Sequence, residues 1–258
     1  MSIYFFKQTL QYFTGTNFCD RSATISKHLI HNLCPLHRSC YLRGEILFYF
    51  YRINAGFVPK EHWTQDPVEG GGRIIGEVCH FVDLLSYLIG SSPIKVYADV
   101  ITTTRDDMMS KDNTGITFKY RDGSIATIIY TASGDRSFPK ERIEIFNENS
   151  VAVIDDFRKV TFSRNGKVRT FGSSKQDKGY KQALNAFVDC ALHGTASPIS
   201  LQESVNATVA TLKILESLSL GKPVDISLDD RQEFLQELSQ IHTKSLQDHV
   251  MQQKTDTL

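Results

Sequence analysis

The 258-residue sequence has no run of eighteen or more apolar residues, which excludes a hydrophobic membrane-spanning helix. It has no surplus of one charge: 29 lysines and arginines face 29 aspartates and glutamates, and the pI is near 7.1. Without a long single-sign block there is no surface to neutralise nucleic-acid phosphates. Cysteine is sparse and odd in number, with five scattered thiols at Cys19, Cys34, Cys40, Cys79 and Cys190, which excludes a disulfide-stapled secreted scaffold. No small-residue cleavage site follows the N-terminal MSIYFFKQTLQYF, itself interrupted by Lys7, Gln8 and Gln11. The expectation is a cytoplasmic globular protein with neither a membrane nor a nucleic-acid partner. At 41% hydrophobic content it can bury a core as one large domain or two small ones.

A nucleotide cradle is missing too. The dinucleotide fingerprint G-x-G-x-x-G requires a strand before it and a helix after it. Gly70 and Gly72 supply its first half, but Ile75 stands where the third glycine belongs, and the preceding HWTQDPVE reads as loop. No Gly-Lys-Ser/Thr follows to make a phosphate loop. His31, Cys34, His37 and Cys40 recur every three residues, yet Pro35 breaks the helix that would align them, and the paired spacing of a zinc finger is absent. No metal site is assigned.

What the sequence does hold falls into three textures. Residues 1–45 are weakly patterned and form a head of uncertain fold. Residues 46–243 read as one α+β domain, and residues 244–258 as a polar tail. Ile46 to Asn54 is rich in aromatic and β-branched residues and predicts a strand. After the three glycines, Ile74, Ile75, Val78, Phe81, Val82, Leu84, Leu85, Leu88 and Ile89 predict a helix buried on most faces and stopped by Gly90 and Pro93. A meander follows, from IKVYADVITTT to KVTFSRNGKVRTF, with turns at Arg121-Asp122-Gly123 and Asn165-Gly166. Tyr180 to Leu192 predicts a helix before Gly194, Ser200 with Glu203 caps a helix running to Leu220, and Ser227 with Asp230 opens a last one. The predicted fold is an open, mainly antiparallel sheet with helices on one face and the other face available.

Three glycines permit positive φ and close backbone approach, and the following helix presents His80 and Asp83 at i and i+3. That pattern suits a pocket floor. Arg52, Asn54, Lys60, His62 and Trp63 precede it on strand and loop, offering an aromatic and several hydrogen-bonding groups to a sugar-like ligand. Cys79 reads as inert packing, because nothing basic at helical spacing lowers its pKa. The charged cluster Arg105, Asp106 and Asp107 reads as a solvated loop.

The block YRINAGFVPKEHWTQDPVEGGGRIIGEVCHFVDLL, with the meander and the closing helices, resembles the C-terminal, substrate-binding half of the Gfo/Idh/MocA family of NAD(P)-dependent sugar and polyol oxidoreductases, over roughly residues 46 to 225. The resemblance implies a cofactor, NAD or NADP, bound by a preceding Rossmann domain with a Glu-Lys-Pro motif, and neither that motif nor the glycine fingerprint occurs in this sequence. It aligns the family's histidine with His80, which would take the substrate hydroxyl proton. The aspartate that many members carry one turn earlier falls at Gly76, with Glu77 beside it on a different face. The expectation is a truncated or separately encoded substrate domain, not catalytically self-sufficient, with His80 catalytic and Arg52, Asn54, Lys60, Trp63, Glu77 and Asp83 against substrate. The alternative, from another class, is a binding or homo-oligomerisation module using the open sheet face. Metal-dependent hydrolysis through His80, Asp83 and Glu77 is weaker, since no second histidine stands at helical spacing.

Overall fold

The computed structural model describes residues 47–102, 109–147, 149–172, 174–197 and 199–240. The head, the tail, the four-residue histidine and cysteine coincidence and the Arg105 cluster lie outside the described residues.

Nine strands form one sheet: β1 (Phe48–Asn54), β2 (Pro93–Val100), β3 (Asn113–Tyr120), β4 (Ile125–Thr131), β5 (Glu141–Asn147), β6 (Ser150–Asp155), β7 (Lys159–Arg164), β8 (Lys167–Gly172) and β9 (Val224–Asp225). Their order is β8-β7-β6-β5-β1-β4-β3-β2-β9. Every pairing is antiparallel except one: β1 runs parallel to β4, with Tyr51 opposite Ile128. The meander reading is correct within β2 to β4 and within β5 to β8, but not from β4 to β5, where β1 inserts between them. Alternation shows which face a strand buries, whereas its neighbour is set by long-range packing.

The strands alternate as a half-buried sheet must. Tyr49, Tyr51 and Ile53 of β1, Phe118 and Tyr120 of β3, and Ile128 and Tyr130 of β4 are all fully buried on one face. At the alternate positions, Phe48 of β1, Ile129 of β4 and Phe146 of β5 are exposed on the other. Each fully buried large aliphatic or aromatic side chain contributes about 1.5–3 kcal/mol, so the covered face dominates stability. The Asn165-Gly166 tip has φ of 50° and 70°, the pair of left-handed residues a tight hairpin with native twist requires.

Among the described residues four α-helices accompany the sheet: α1 (Cys79–Ile89), α2 (Tyr180–His193), α3 (Leu201–Leu220) and α4 over residues 228–240. No residue from Glu77 to Ile89 is exposed, as the apolar run predicted. α3 carries the capping box of Ser200 and Glu203 and ends at Gly221 with φ 62°. It buries Val205, Val209, Ala210 and Ile214 against β2 and α1. α2 has the predicted helical spacing but a different environment: Tyr180, Leu184, Phe187 and Leu192 are exposed, and only Ala183 is buried.

Candidate functional site

The path from β1 to α1 is built by hydrogen bonds that the sequence makes locally. Asp66 Oδ1 accepts from the Val68 and Glu69 amides at 2.7 Å, and its carbonyl accepts from Gly70 at 3.0 Å and Gly71 at 2.8 Å. An added Cβ at Gly70 would lie 2.5 Å from both the Trp63 oxygen and Thr64 Cα. Gly71 and Gly72 then take φ of 69° and 81° to enter the helix. Gly70 is consumed by packing of the chain on itself, whereas a Cβ on Gly72 would meet nothing within 4 Å.

The helix starts with a π turn over Ile74–Val78 before α1. Such widened turns recur at functional sites because they displace side chains from ordinary helical register. Here the turn carries Glu77. Its carboxylate accepts from Arg73 at 2.7 Å, Lys140 at 2.6 Å and the Tyr130 hydroxyl at 2.5 Å. Burial pushes the Glu77 pKa up, but Lys140, Tyr130 and Arg73 outweigh it and hold it down at about 2. Burial raises the Tyr130 phenol far above its ordinary range, and the Glu77 charge adds to it. Tyr130 is therefore a permanent donor.

A second carboxylate of matching design lies on β5. Glu141 is 5% exposed and accepts from the Tyr51 hydroxyl and from Lys178 Nζ at 2.7 Å. Burial alone would lower the Lys178 pKa, and the Glu141 carboxylate reverses that and raises it. The Phe81 ring packs edge-on against Tyr51, with centroids 5.2 Å apart, and thereby ties α1 to this pair.

His80 follows the π turn by two residues and senses both carboxylates. Burial lowers its pKa; Glu77 and Glu141 oppose that shift and Lys140 reinforces it. The imidazole is uncharged at neutral pH and makes no hydrogen bond among the described residues. A neutral ring with an uncommitted nitrogen lone pair, under the charge of two anchored carboxylates, can accept a proton and have the resulting charge stabilised.

Lys140 and Lys178 also line a cleft of about 530 Å³ bounded by Asn54, Gly56, Phe138 and Asp156, within the usual size of small-molecule sites. Of the residues singled out in the sequence, Asn54 lines this cleft. Arg52 stands next to it, donating to the Pro139 carbonyl at 2.6 Å and lying 4.6 Å over the Phe138 ring. Trp63, 61% exposed, sits on a 3-10 turn with Lys60 and His62 nearby in the chain, outside the cleft lining. Helical spacing alone set Asp83 beside His80 and Glu77 apart. In the structure Glu77 acts on His80, while Asp83 acts on Tyr120. Gly76, at the position of the family's aspartate, is exposed.

Sequence reasoning missed Tyr51, Tyr130, Lys140, Glu141 and Lys178. One signal was present: tyrosines at inward-facing strand positions carry hydroxyls that need buried partners. Lys178 lies in a connection without pattern, and nothing local marks it. Among the described residues no group of three or more His, Cys, Asp or Glu side chains is placed to hold a metal ion, and no helix is long and apolar enough to cross a membrane.

Residues 43–152 match the family model described as the GFO/IDH/MocA C-terminal domain, and no curated protein matches the chain. Among solved structures, aldose-aldose oxidoreductase from Caulobacter crescentus complexed with glycerol is 16% identical, with a TM-score of 0.63 over 80% of this chain and 62% of that one. An oxidoreductase from Agrobacterium radiobacter in complex with NAD+, L-tartaric acid and magnesium is 11% identical, with a TM-score of 0.61 over 80% and 63%. Levoglucosan dehydrogenase in complex with NADH is 14% identical, with a TM-score of 0.64 over 80% and 65%. At such identities the likeness establishes the fold. The chain spans about six tenths of the length of these structures.

Proposed function

We propose that the chain supplies the substrate side of an oxidoreductase acting on a sugar or polyol derivative, a reading supported by the match of residues 43–152 to the family model described as the GFO/IDH/MocA C-terminal domain. The observation that carries this reading is the uncharged His80, with no hydrogen bond among the described residues, under the charge of Glu77 and Glu141. A polyol in the cleft would present one hydroxyl to the His80 ring nitrogen. As that carbon is oxidised the hydroxyl proton moves to the nitrogen, and the two carboxylates stabilise the imidazolium. Asn54, Arg52, Lys140 and Lys178 hold the remaining hydroxyls, with Lys60, Trp63 and Asp83 as outer contributors.

Oxidation also needs a hydride acceptor. NAD or NADP is the acceptor this reading requires, and it is supported by the NAD+ and NADH named with the Agrobacterium and levoglucosan enzymes. The sequence has no G-x-G-x-x-G fingerprint, and in this reading the chain is not a self-sufficient catalyst. The sparse, odd cysteine content supports a reducing compartment, the cytoplasm.

Calorimetric titration with glycerol, glucitol and glucose tests the substrate side. Saturable binding, weakened at least tenfold by Asn54→Ala, is the expected result. Absence of binding to every member of the panel by the folded protein overturns it. A second reading, a homo-oligomer formed through the open face, is favoured by Phe48, Ile129 and Phe146, which lie exposed on adjacent strands. Light scattering that changes from oligomer to monomer on Phe48→Glu supports it, and a strict monomer sinks it.

A further inference from the structure

The cleft lined by Asn54, Lys140 and Lys178 is more cationic than a neutral polyol requires. Its lining includes Arg136, Lys140, Arg158, Lys159 and Lys178 against only Asp155 and Asp156, five positive charges to two negative in a chain whose charges balance overall. Both acids are already engaged: Asp155 lies 3.7 Å from Arg142, and Asp156 lies 3.3 Å from Arg158. Lys140 and Lys178 neutralise the deeper carboxylates Glu77 and Glu141. Arg136 and Lys159 make no ion pair among the described residues; Arg136 donates to the Phe57 carbonyl at 2.9 Å. The surplus therefore resides on two exposed side chains, Arg136 and Lys159, while the Lys140 and Lys178 ammonium groups are held by carboxylates.

A second observation concerns the wall that holds these groups. Asp156 and Phe157 both have left-handed φ, 48° and 52°, a conformation in which the Cβ of a non-glycine residue crowds the following carbonyl oxygen. The surroundings over-determine it. The Asp156 amide donates to the Glu141 carbonyl at 2.8 Å, Gln176 donates to the Asp156 carbonyl at 2.9 Å, and the Asp177 amide donates to the Phe157 carbonyl at 3.3 Å. The Phe157 ring is buried under Lys178, whose ammonium is 5.6 Å from its centroid. Strain held this firmly fixes where Arg158 and Lys159 enter the cleft lining, to which the segment 136–140 contributes Arg136 and Lys140.

We propose that this cleft binds the oxyanion of a sugar-sized ligand, a phosphate ester or a carboxylate, with Arg136 and Lys159 as the gripping cations. The proposal rests on reading the cleft as the substrate site, and it narrows the substrate to an anionic sugar or polyol derivative whose neutral end lies toward His80. A phosphate of the dinucleotide shares this chemistry, and the test separates the two sources.

Calorimetric titration of the full chain at low salt compares glucose 6-phosphate, glucuronate, glucose and NADH. At least one of the two anions binds tenfold or more tighter than glucose, that advantage falls to within about twofold in Arg136→Gln/Lys159→Gln, and it shrinks as salt rises toward 0.5 M. Both substituted side chains are exposed, so the variant retains the wild-type circular dichroism and melting temperature; a variant that unfolds is replaced by Lys159→Gln alone, which gives a loss of threefold or more. Equal binding of glucose and both anions overturns the oxyanion site and leaves the polyol reading standing. NADH that competes with the sugar anion and loses affinity in the same variant assigns the cations to the dinucleotide and also overturns it. No binding of any sugar overturns both.

Discussion

Replacing Glu77 by glutamine perturbs the network that sets the charge around His80, and its effect can be worked from the structure. The carboxylate receives Arg73, Lys140 and Tyr130 at 2.7, 2.6 and 2.5 Å. Against the cost of burial these donors bring its pKa from 4.5 to about 2, which at about 1.4 kcal/mol for each tenfold change in proton affinity corresponds to about 3 kcal/mol. The folded pKa is depressed, so this stability is fully present above the unfolded value of 4.5 and is lost as pH falls through about 2. In Glu77→Gln the corresponding segment of the stability curve disappears. The variant is also weaker at pH 7, because the Arg73 side chain, 8% exposed, keeps its charge without compensation; breaking a buried pair in this way costs about 3–5 kcal/mol. Urea unfolding of both proteins between pH 7 and pH 2 measures these terms. A loss below about 1 kcal/mol at neutral pH, with the acid limb unchanged, would refute the claim that Glu77 is a buried, donor-held anion.

Two glycines of the same block separate packing from backbone freedom. Gly70→Ala drives a Cβ into the Trp63 and Thr64 backbone and lowers stability by roughly 2 kcal/mol or more, as overpacking does. Gly76→Ala meets nothing closer than the Gly70 oxygen at 3.8 Å and raises stability by up to about 1 kcal/mol through helix propensity; comparable thermal shifts for the two would contradict the packing role of Gly70. Ser217→Ala leaves the buried Ala98 amide, now 3.0 Å from Ser217 Oγ, without its acceptor and costs about 1–3 kcal/mol in chemical denaturation, whereas a neutral effect would show that the α3 to β2 junction repacks. Because burial lowers the His80 pKa, the unfolded chain binds a proton on this residue before the folded one does, and stability rises with pH up to about 6.5; His80→Asn flattens that rise.

Much of the fold was legible because it rests on local rules. Alternation in β3 and β4 identified the buried face, Asn165-Gly166 marked a hairpin, and Ser200 with Glu203 marked a helix start. The parallel insertion of β1 between β4 and β5 was not legible, since a strand's pattern is the same beside either neighbour. The π turn at Ile74–Val78 was hidden for a related reason: its apolar spacing passes for an ordinary helix. The candidate site was half visible. His80, Glu77, Asn54 and Tyr51 stood in one block, but the other side chains that give them their properties come from three other places: Tyr130, the Lys140-Glu141 pair and Lys178 are far apart in sequence and meet this block only in the folded chain.

The central claim is that His80 is the group a bound polyol hydroxyl meets, and NMR titration of the His80 ring against pH, with and without saturating glucitol, tests it most directly. A hydroxyl donating to the neutral imidazole favours the uncharged form, so the account predicts that ligand moves the His80 resonance and lowers its pKa further. A His80 signal and pKa unchanged while glucitol is shown to bind would place the ligand elsewhere and contradict the account.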